Sequence, residues 1–180
     1  MTDPWQFVRS TVLQRLGRLS LREDVWRLPT GRERAYPLLE VGLTVGVVPF
    51  VDDEHVLLIR QFRHLIREDS WELPGGGGRS GESPLEAAQR ELREEGGYRA
   101  GRLTFLTRFY PSNAYLDETA YCYIGEDLTW DPLDSDDDEF FERRAVPFRE
   151  AVQMALEDRL TESVSKVAIL AAAITRGVAL

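Results

Sequence analysis

Cysteine is almost absent. Cys122 stands alone among 180 residues, so no intrachain disulfide can form and a reducing cytosol is the expected compartment. Long apolar runs are missing too. The most apolar stretch, VAILAAAI near the C-terminus, falls short of the roughly 18 residues a membrane span needs and reads as a packed helix. The first residues, MTDPWQFVRS, carry neither the basic nor the apolar region of a secretory signal. The expectation is a cytoplasmic chain with no membrane partner. Positive charge is in deficit, with 22 Lys and Arg against 31 Asp and Glu and a net charge of -9. That argues against nucleic acid as a partner, because non-specific binding runs on exposed cations. A small phosphorylated ligand stays open, since a metal ion or a few local arginines would hold it. No internal repeat and no long linker divides the chain, so 1–180 is expected to be a single domain.

What is present is globular: 43% hydrophobic and 29% charged residues do not describe a disordered chain. Residues 4–17 (PWQFVRSTVLQRLG) fit a short amphipathic helix. LREDVWRL and AYPLLEV read as extended segments around the turn-forming PTGRER. VGVVPFV and HVLLIRQF read as neighbouring strands of one sheet, LTFLTRFY and TAYCYIG as two further strands joined by PSNAYLDE. FFERRAV is a short strand, and PFREAVQMALED and ESVSKVAILAAAITRG are helical patterns. This mixture predicts an α/β (α+β) architecture, a mixed β-sheet layered between helices.

The segment WELPGGGGRSGESPLEAAQRELREEGG joins a glycine loop to a helix crowded with acids. Ser83, Pro84 and Glu86 form a capping box with proline at the first helical position, and Gly96 or Gly97 ends the helix. The spacing predicts a helix over 84–95, with Leu85, Ala88 and Leu92 facing the sheet. Glu91, Glu94 and Glu95 fall on the adjoining flank. That crowding is unfavourable alone: Glu91 and Glu95 are like charges four residues apart, and the helix C-terminus prefers cations. Arg90 offsets part of this, whereas Arg93 points away. A hard divalent cation such as Mg²⁺ or Mn²⁺, held by carboxylates and a backbone carbonyl, would resolve it. Gly76, Gly78 and Gly81 also fit G-x-G-x-x-G, but the acid that a dinucleotide fold wants about 20 residues on is missing. No Gly-Lys-Ser/Thr is present, which excludes a P-loop.

Residues 76–98 resemble the Nudix box, G-x5-E-x7-R-E-U-x-E-E-x-G-U with U apolar. Gly76, Glu82, Arg90, Glu91, Leu92, Glu94, Glu95 and Gly97 match in register, and Tyr98 is aromatic where an aliphatic is usual. The resemblance implies a Nudix-type sheet sandwiched between helices and Mg²⁺-dependent (or Mn²⁺-dependent) hydrolysis of a nucleoside diphosphate linked to another moiety. It implies Glu91 and Glu95 as main metal ligands, Glu94 as a further ligand or its support, and Glu82 and the Gly75 carbonyl as assisting. Arg90 would hold the carboxylates in place. Outside the box, LLIRQFRH, WELPGG and FYPSNAYLDE resemble the ADP-ribose pyrophosphatase branch, although Pro111 is followed by Ser112 and Asn113 where Ser-Pro-Gly is frequent. This implies substrate contacts from Arg60, Arg63, Glu72, Pro111 and an aromatic, Trp26 or Tyr36. On the strand pattern, Arg60 and Arg63 are expected to point to one face. The branch places a base or extra ligand in a late acidic loop; Glu139 aligns best, with Asp137 and Asp138 nearby. It also implies a homodimer built through an N-terminal strand extension, residues 1–41. The expected reaction is cleavage of ADP-ribose or a related ADP-sugar to AMP and a sugar phosphate. GDP-mannose, FAD or another conjugate remains an alternative, as does a nucleotide-sensing module on the same fold.

Overall fold

The structure, a computed structural model, describes residues 4–17, 19–134 and 140–178. It divides into two compact units, Met1–Gly42 with Tyr110–Thr119, and Leu43–Phe109 with Ala120–Leu180.

The first unit is an antiparallel meander of β1 (Gln6–Leu16), β2 (Leu19–Arg27) and β3 (Glu33–Glu40). The helix expected over 4–17 is therefore a strand. Two register shifts, between Phe7 and Arg9 and between Val12 and Gln14, account for its helix-like pattern. Each breaks the two-residue alternation, so the apolar residues fall at spacings that imitate a helix, and pairing with β2 overrides that local signal. Every residue of β1 is exposed, including Phe7, Val8, Val12, Leu13 and Leu16. The segment 110–119 is tied to this unit by the Leu39 amide on the Tyr115 carbonyl, 2.9 Å. Asp117 Oδ1 also accepts from the amides of Val41, 2.7 Å, and Gly42, 3.1 Å.

The second unit holds two sheets. One has the order β10-β5-β6, the other β7-β4-β9-β8, where β4 is Leu43–Pro49, β5 His55–Arg63, β6 Glu68–Glu72, β7 Gly75–Gly77, β8 Tyr98–Phe109, β9 Thr119–Trp130 and β10 Glu142–Pro147. Helices α1 (Pro84–Glu91), α2 (Phe148–Leu156) and α3 (Ser163–Thr175) complete it. The layered α+β reading holds, but β4 and β5 are not neighbours in one sheet. Both are buried runs of Val, Leu and Ile, and a strand buried on both faces shows no alternation to reveal its partner. Alternation in β4 sends Val45 and Val47 into a cluster with Ala87 and Ala88 of α1 and with Leu92 just beyond it. Val48 joins Phe148 and Val152 of α2 and Ala168 and Ile169 of α3. The sheet thus lies between α1 and the α2–α3 pair. Two strands carry no strand pattern in the sequence: β6, whose EDSWE is largely polar, and β7, whose glycines suggest a loop.

Candidate active site

The capping box forms as expected. Ser83 Oγ accepts from the Glu86 amide, 3.3 Å, and Glu86 Oε2 from the Ser83 amide, 2.9 Å. The helix does not continue regularly to residue 95. After Glu91 it widens into a π turn, Leu92–Gly96, closed by Gly97 in the left-handed region at φ 80°. The buried stripe is also turned from its expected position. Leu85 is 49% exposed, while Ala87, Ala88, Glu91, Leu92 and Glu95 are buried. Two carboxylates therefore lie inside the stripe rather than beside it, with Glu91 8% and Glu95 4% exposed.

Burying carboxylates is costly unless they are paired and hydrogen-bonded. Arg90 supplies most of the pairing. Its Nε and Nη2 donate to Glu82 Oε1 and Oε2, each at 2.9 Å. Its Nη1 donates to Glu91 Oε1 at 2.8 Å and to Glu94 Oε2 at 2.7 Å. Nη2 also reaches the Gly77 carbonyl at 2.9 Å. One guanidinium thus ties three carboxylates to the glycine strand. The bond to Glu82, followed by those to Glu91 and Glu94, raises Arg90 above its ordinary value. The same bond holds the Glu82 carboxyl below the usual glutamate range.

Glu95 takes a different partner: its Oε2 accepts from the Gly75 amide at 2.6 Å. The bare backbone of β7 is what lets the carboxylates come this close. A Cβ on Gly76 would stand 2.7 Å from Glu91 Oε1, and one on Gly75 would stand 2.3 Å from the Val45 carbonyl oxygen. Two arginines outside the expected set also reach this cluster. Arg79 Nη2 donates to Glu94 Oε1 at 3.0 Å, and Arg143 donates to the backbone carbonyls of Glu95, 2.6 Å, and Glu94, 3.3 Å. Arg143 lies 48 residues from Glu95, and nothing in its local sequence announces the contact. Arg93 turns away, as expected, to the Asp131 carbonyl at 2.9 Å.

Arg60 and Arg63 do not share a face, which corrects the strand reading: three residues apart in a strand means opposite sides. Arg63 Nε donates to Glu72 Oε1 at 2.8 Å, its Nη2 pairs with Glu72 Oε2, and the pairing raises the guanidinium above its ordinary value. Glu72 itself is buried, and Gln61 also donates to it at 3.3 Å. A small cavity of about 100 Å³ lies between Arg63, Glu72, Gly75, Gly76, Thr44 and Glu162. Glu162 uses both its oxygens to cap α3. Arg60 instead pairs with Glu142 at 2.5 Å and Asp69 at 3.5 Å, and lies over the Trp71 ring at 5.8 Å.

Trp26 and Pro111 belong to the first unit. Trp26 meets Phe7 edge to face, ring centroids 5.4 Å apart, and Tyr36 lies 6.4 Å from Trp5. Glu139, Asp137 and Asp138 lie outside the described residues.

The donor chemistry fits a hard divalent cation: carboxylate oxygens, with Glu91 and Glu95 four positions apart, beside the half-buried β7 backbone. Among the described residues, however, no three His, Cys, Asp or Glu side chains stand around a common point. Arg90 engages Glu91 Oε1 and the Gly75 amide engages Glu95 Oε2, so an ion shared by the two glutamates meets oxygens already in use. No helix among the described residues is long and apolar enough to cross a membrane.

The profile of the NUDIX domain matches residues 41–167. The chain is 33% identical over 134 residues to an ADP-ribose pyrophosphatase of Bacillus subtilis (strain 168), covering 73% of this chain and 72% of that protein. It is 27% identical over 153 residues to a methanol dehydrogenase activator of Bacillus methanolicus, covering 84% and 83%. Among solved structures, an ADP compounds hydrolase superposes with a TM-score of 0.81 at 24% identity, over 98% of both chains. That identity carries the fold alone.

Proposed function

The chain belongs to the NUDIX domain family, and from that premise we propose that it hydrolyses phosphoric anhydrides, cleaving ADP-ribose or a related ADP-sugar to AMP and a sugar phosphate. The observation that carries this reading is Arg90 fastening Glu82, Glu91 and Glu94 against the bare β7 backbone. The similarity to the Bacillus subtilis ADP-ribose pyrophosphatase supports the substrate class. Glu91 and Glu95, with Glu82, Glu94 and the Gly75 carbonyl in support, would hold Mg²⁺ or Mn²⁺. A bound divalent cation supplies neutralisation of diphosphate charge and a water of lowered pKa. The chain's own residues do the rest. Arg90 keeps the glutamates oriented through charge-assisted bonds. Arg63 has its Nε and Nη2 committed to Glu72, which fixes the guanidinium plane and leaves its remaining donors for phosphate. The exposed apolar residues of β1, an edge strand among the described residues, support a homodimer, because such an edge invites pairing or cover. Cytoplasmic residence rests on the lone buried Cys122.

A panel of ADP-ribose, other ADP-sugars, GDP-mannose and FAD, incubated with Mg²⁺ or Mn²⁺ and resolved by chromatography, tests the reading. AMP released from ADP-ribose or another ADP-sugar, well ahead of GDP-mannose and FAD, is the expected result. Turnover of none of them sinks it.

A further inference from the structure

The carboxylates sit at the C-terminal end of a helix, where unpaired carbonyls already concentrate negative charge. Arg90 answers the side chains; it does not answer the carbonyls. A π turn makes that demand sharper, because its wider spacing disturbs the regular backbone ladder. Arg143 meets it from another element. Its Nε donates to the Glu95 carbonyl at 2.6 Å and its Nη2 to the Glu94 carbonyl at 3.3 Å. The arginine is itself well placed. Strand β10 runs antiparallel to β5 with Glu142 opposite Arg60 and Arg143 opposite Ile59, and the Glu142–Arg60 pair at 2.5 Å fastens that register. Successive residues of β10 thus serve two sides: Glu142 locks the strand to its neighbour, and Arg143 reaches the π turn.

We propose that Arg143 is a positioning residue for the metal-binding glutamates, holding the backbone of Glu94 and Glu95 in the register that turns Glu95 inward beside Glu91. The proposal rests on the hydrolase reading above, and on the metal role given there to these glutamates. The contacts that define its role are to the Glu94 and Glu95 carbonyls, so its effect runs through the backbone.

Two variants separate geometry from charge. Arg143→Lys keeps the charge but cannot form the two-pronged contact; Arg143→Met keeps the stem and loses the charge. Calorimetric titration with Mn²⁺ alone, without substrate, gives the metal affinity, and steady-state rates give kcat and KM. If Arg143 positions the glutamates, both variants bind Mn²⁺ about tenfold more weakly, the scale typical when a ligand's supporting contact is lost. Both then lose kcat with KM little changed, and Arg143→Lys retains more activity than Arg143→Met. A wild-type-like Arg143→Lys together with an Arg143→Met that binds Mn²⁺ more tightly overturns the proposal, because removal of a nearby positive charge would then be the whole effect. Two variants with wild-type affinity and kcat overturn it equally. A wild-type protein that binds no Mn²⁺ overturns the hydrolase reading along with it, whereas an active, metal-binding wild type with indifferent variants refutes only the role of Arg143.

Discussion

Arg90 touches three carboxylates at once, and this changes what a single substitution does. By spacing alone, Glu91 and Glu95 form a like-charge pair whose neutralisation would leave the metal-free protein equally or more stable. With Arg90 on Glu91 and the Gly75 amide on Glu95, most of that repulsion is already answered. Glu91→Gln and Glu95→Gln keep an acceptor for each partner, so melting temperature without metal is expected to change by no more than a few degrees. Turnover is another matter. Each variant should lose at least about 10²-fold in kcat, the scale of removing one electrostatic contact to a transition state. Initial rates at saturating Mg²⁺ check this, and near-normal rates in both variants would refute the assignment. Glu82 adds a pH signature. Arg90 holds its carboxyl below the ordinary value of about 4.5. A depressed folded-state pKa means the bond stabilises the protein at neutral pH and the benefit disappears as the pH falls through the folded value. Glu82→Gln should therefore melt lower than wild type at pH 7, with the gap closing in acid. A gap that stays constant across melts from neutral to acid pH would assign the stability to something other than this ion pair.

Strand β7 shows how an element can be made of what the sequence seems to leave structureless. Three residues, Gly75–Gly77, pair with Thr44, Val45 and Gly46 of β4, and the lack of side chains gives both sides room. The two sides are not equivalent. On Gly75 a Cβ would meet backbone, the Val45 carbonyl oxygen at 2.3 Å; on Gly76 it would meet the Glu91 carboxylate at 2.7 Å. Backbone cannot step aside, so Gly75→Ala should cost about 1–3 kcal/mol or more, as overpacking does. Gly76→Ala should leave the melting temperature nearly intact while displacing Glu91 and cutting kcat. Thermal melts set beside rate measurements distinguish the two; equal stability loss in both would mean that β7 does not form the wall of the site. The π turn is the second element that regular spacing hides, since an insertion of that kind turns the helix face after Glu91 and carries Glu95 inward.

At the scale of the whole molecule, the arginines and acids of the proposed reaction lie in the second unit, and the aromatic expected to stack on the base, Trp26, lies in the first. Trp26 already packs edge to face on Phe7, so its removal has a structural cost besides any effect on binding. Phe7→Ala, which breaks the same ring pair, serves as the control. If two copies form a homodimer whose N-terminal strands complete each other's sites, a base stacked on Trp26 is held equally in ground and transition states, at about 1 kcal/mol beyond burial. Trp26→Ala should then raise KM several-fold with kcat spared, and Phe7→Ala should leave KM alone. Steady-state kinetics, with light scattering to follow assembly, give the answer. Matching KM values in a Trp26→Ala protein and wild type would place the base elsewhere.

What depends on near neighbours is legible in the sequence: the capping box at Ser83 and Glu86, a glycine close of the helix at Gly96 or Gly97, the paired strands β8 and β9, and the cluster of Glu82, Arg90, Glu91 and Glu94 within one short segment. Hydrogen bonds and ion pairs across three to eight residues follow from backbone geometry that spacing already encodes. Tertiary structure alone decided the remainder. β1 is a strand because β2 pairs with it, against a pattern that reads as helical once bulges break the alternation. β4 and β5 part into two sheets because buried strands carry no mark of their partners. Spacing in a strand already sends Arg60 and Arg63 to opposite sides; which acids they meet there, Glu142 and Glu72, follows from the packing of β10 and β6 on β5. Arg143 reaches the carbonyls of Glu94 and Glu95 across 48 and 49 residues, a distance at which only the packing of β10 on β5 determines who meets whom.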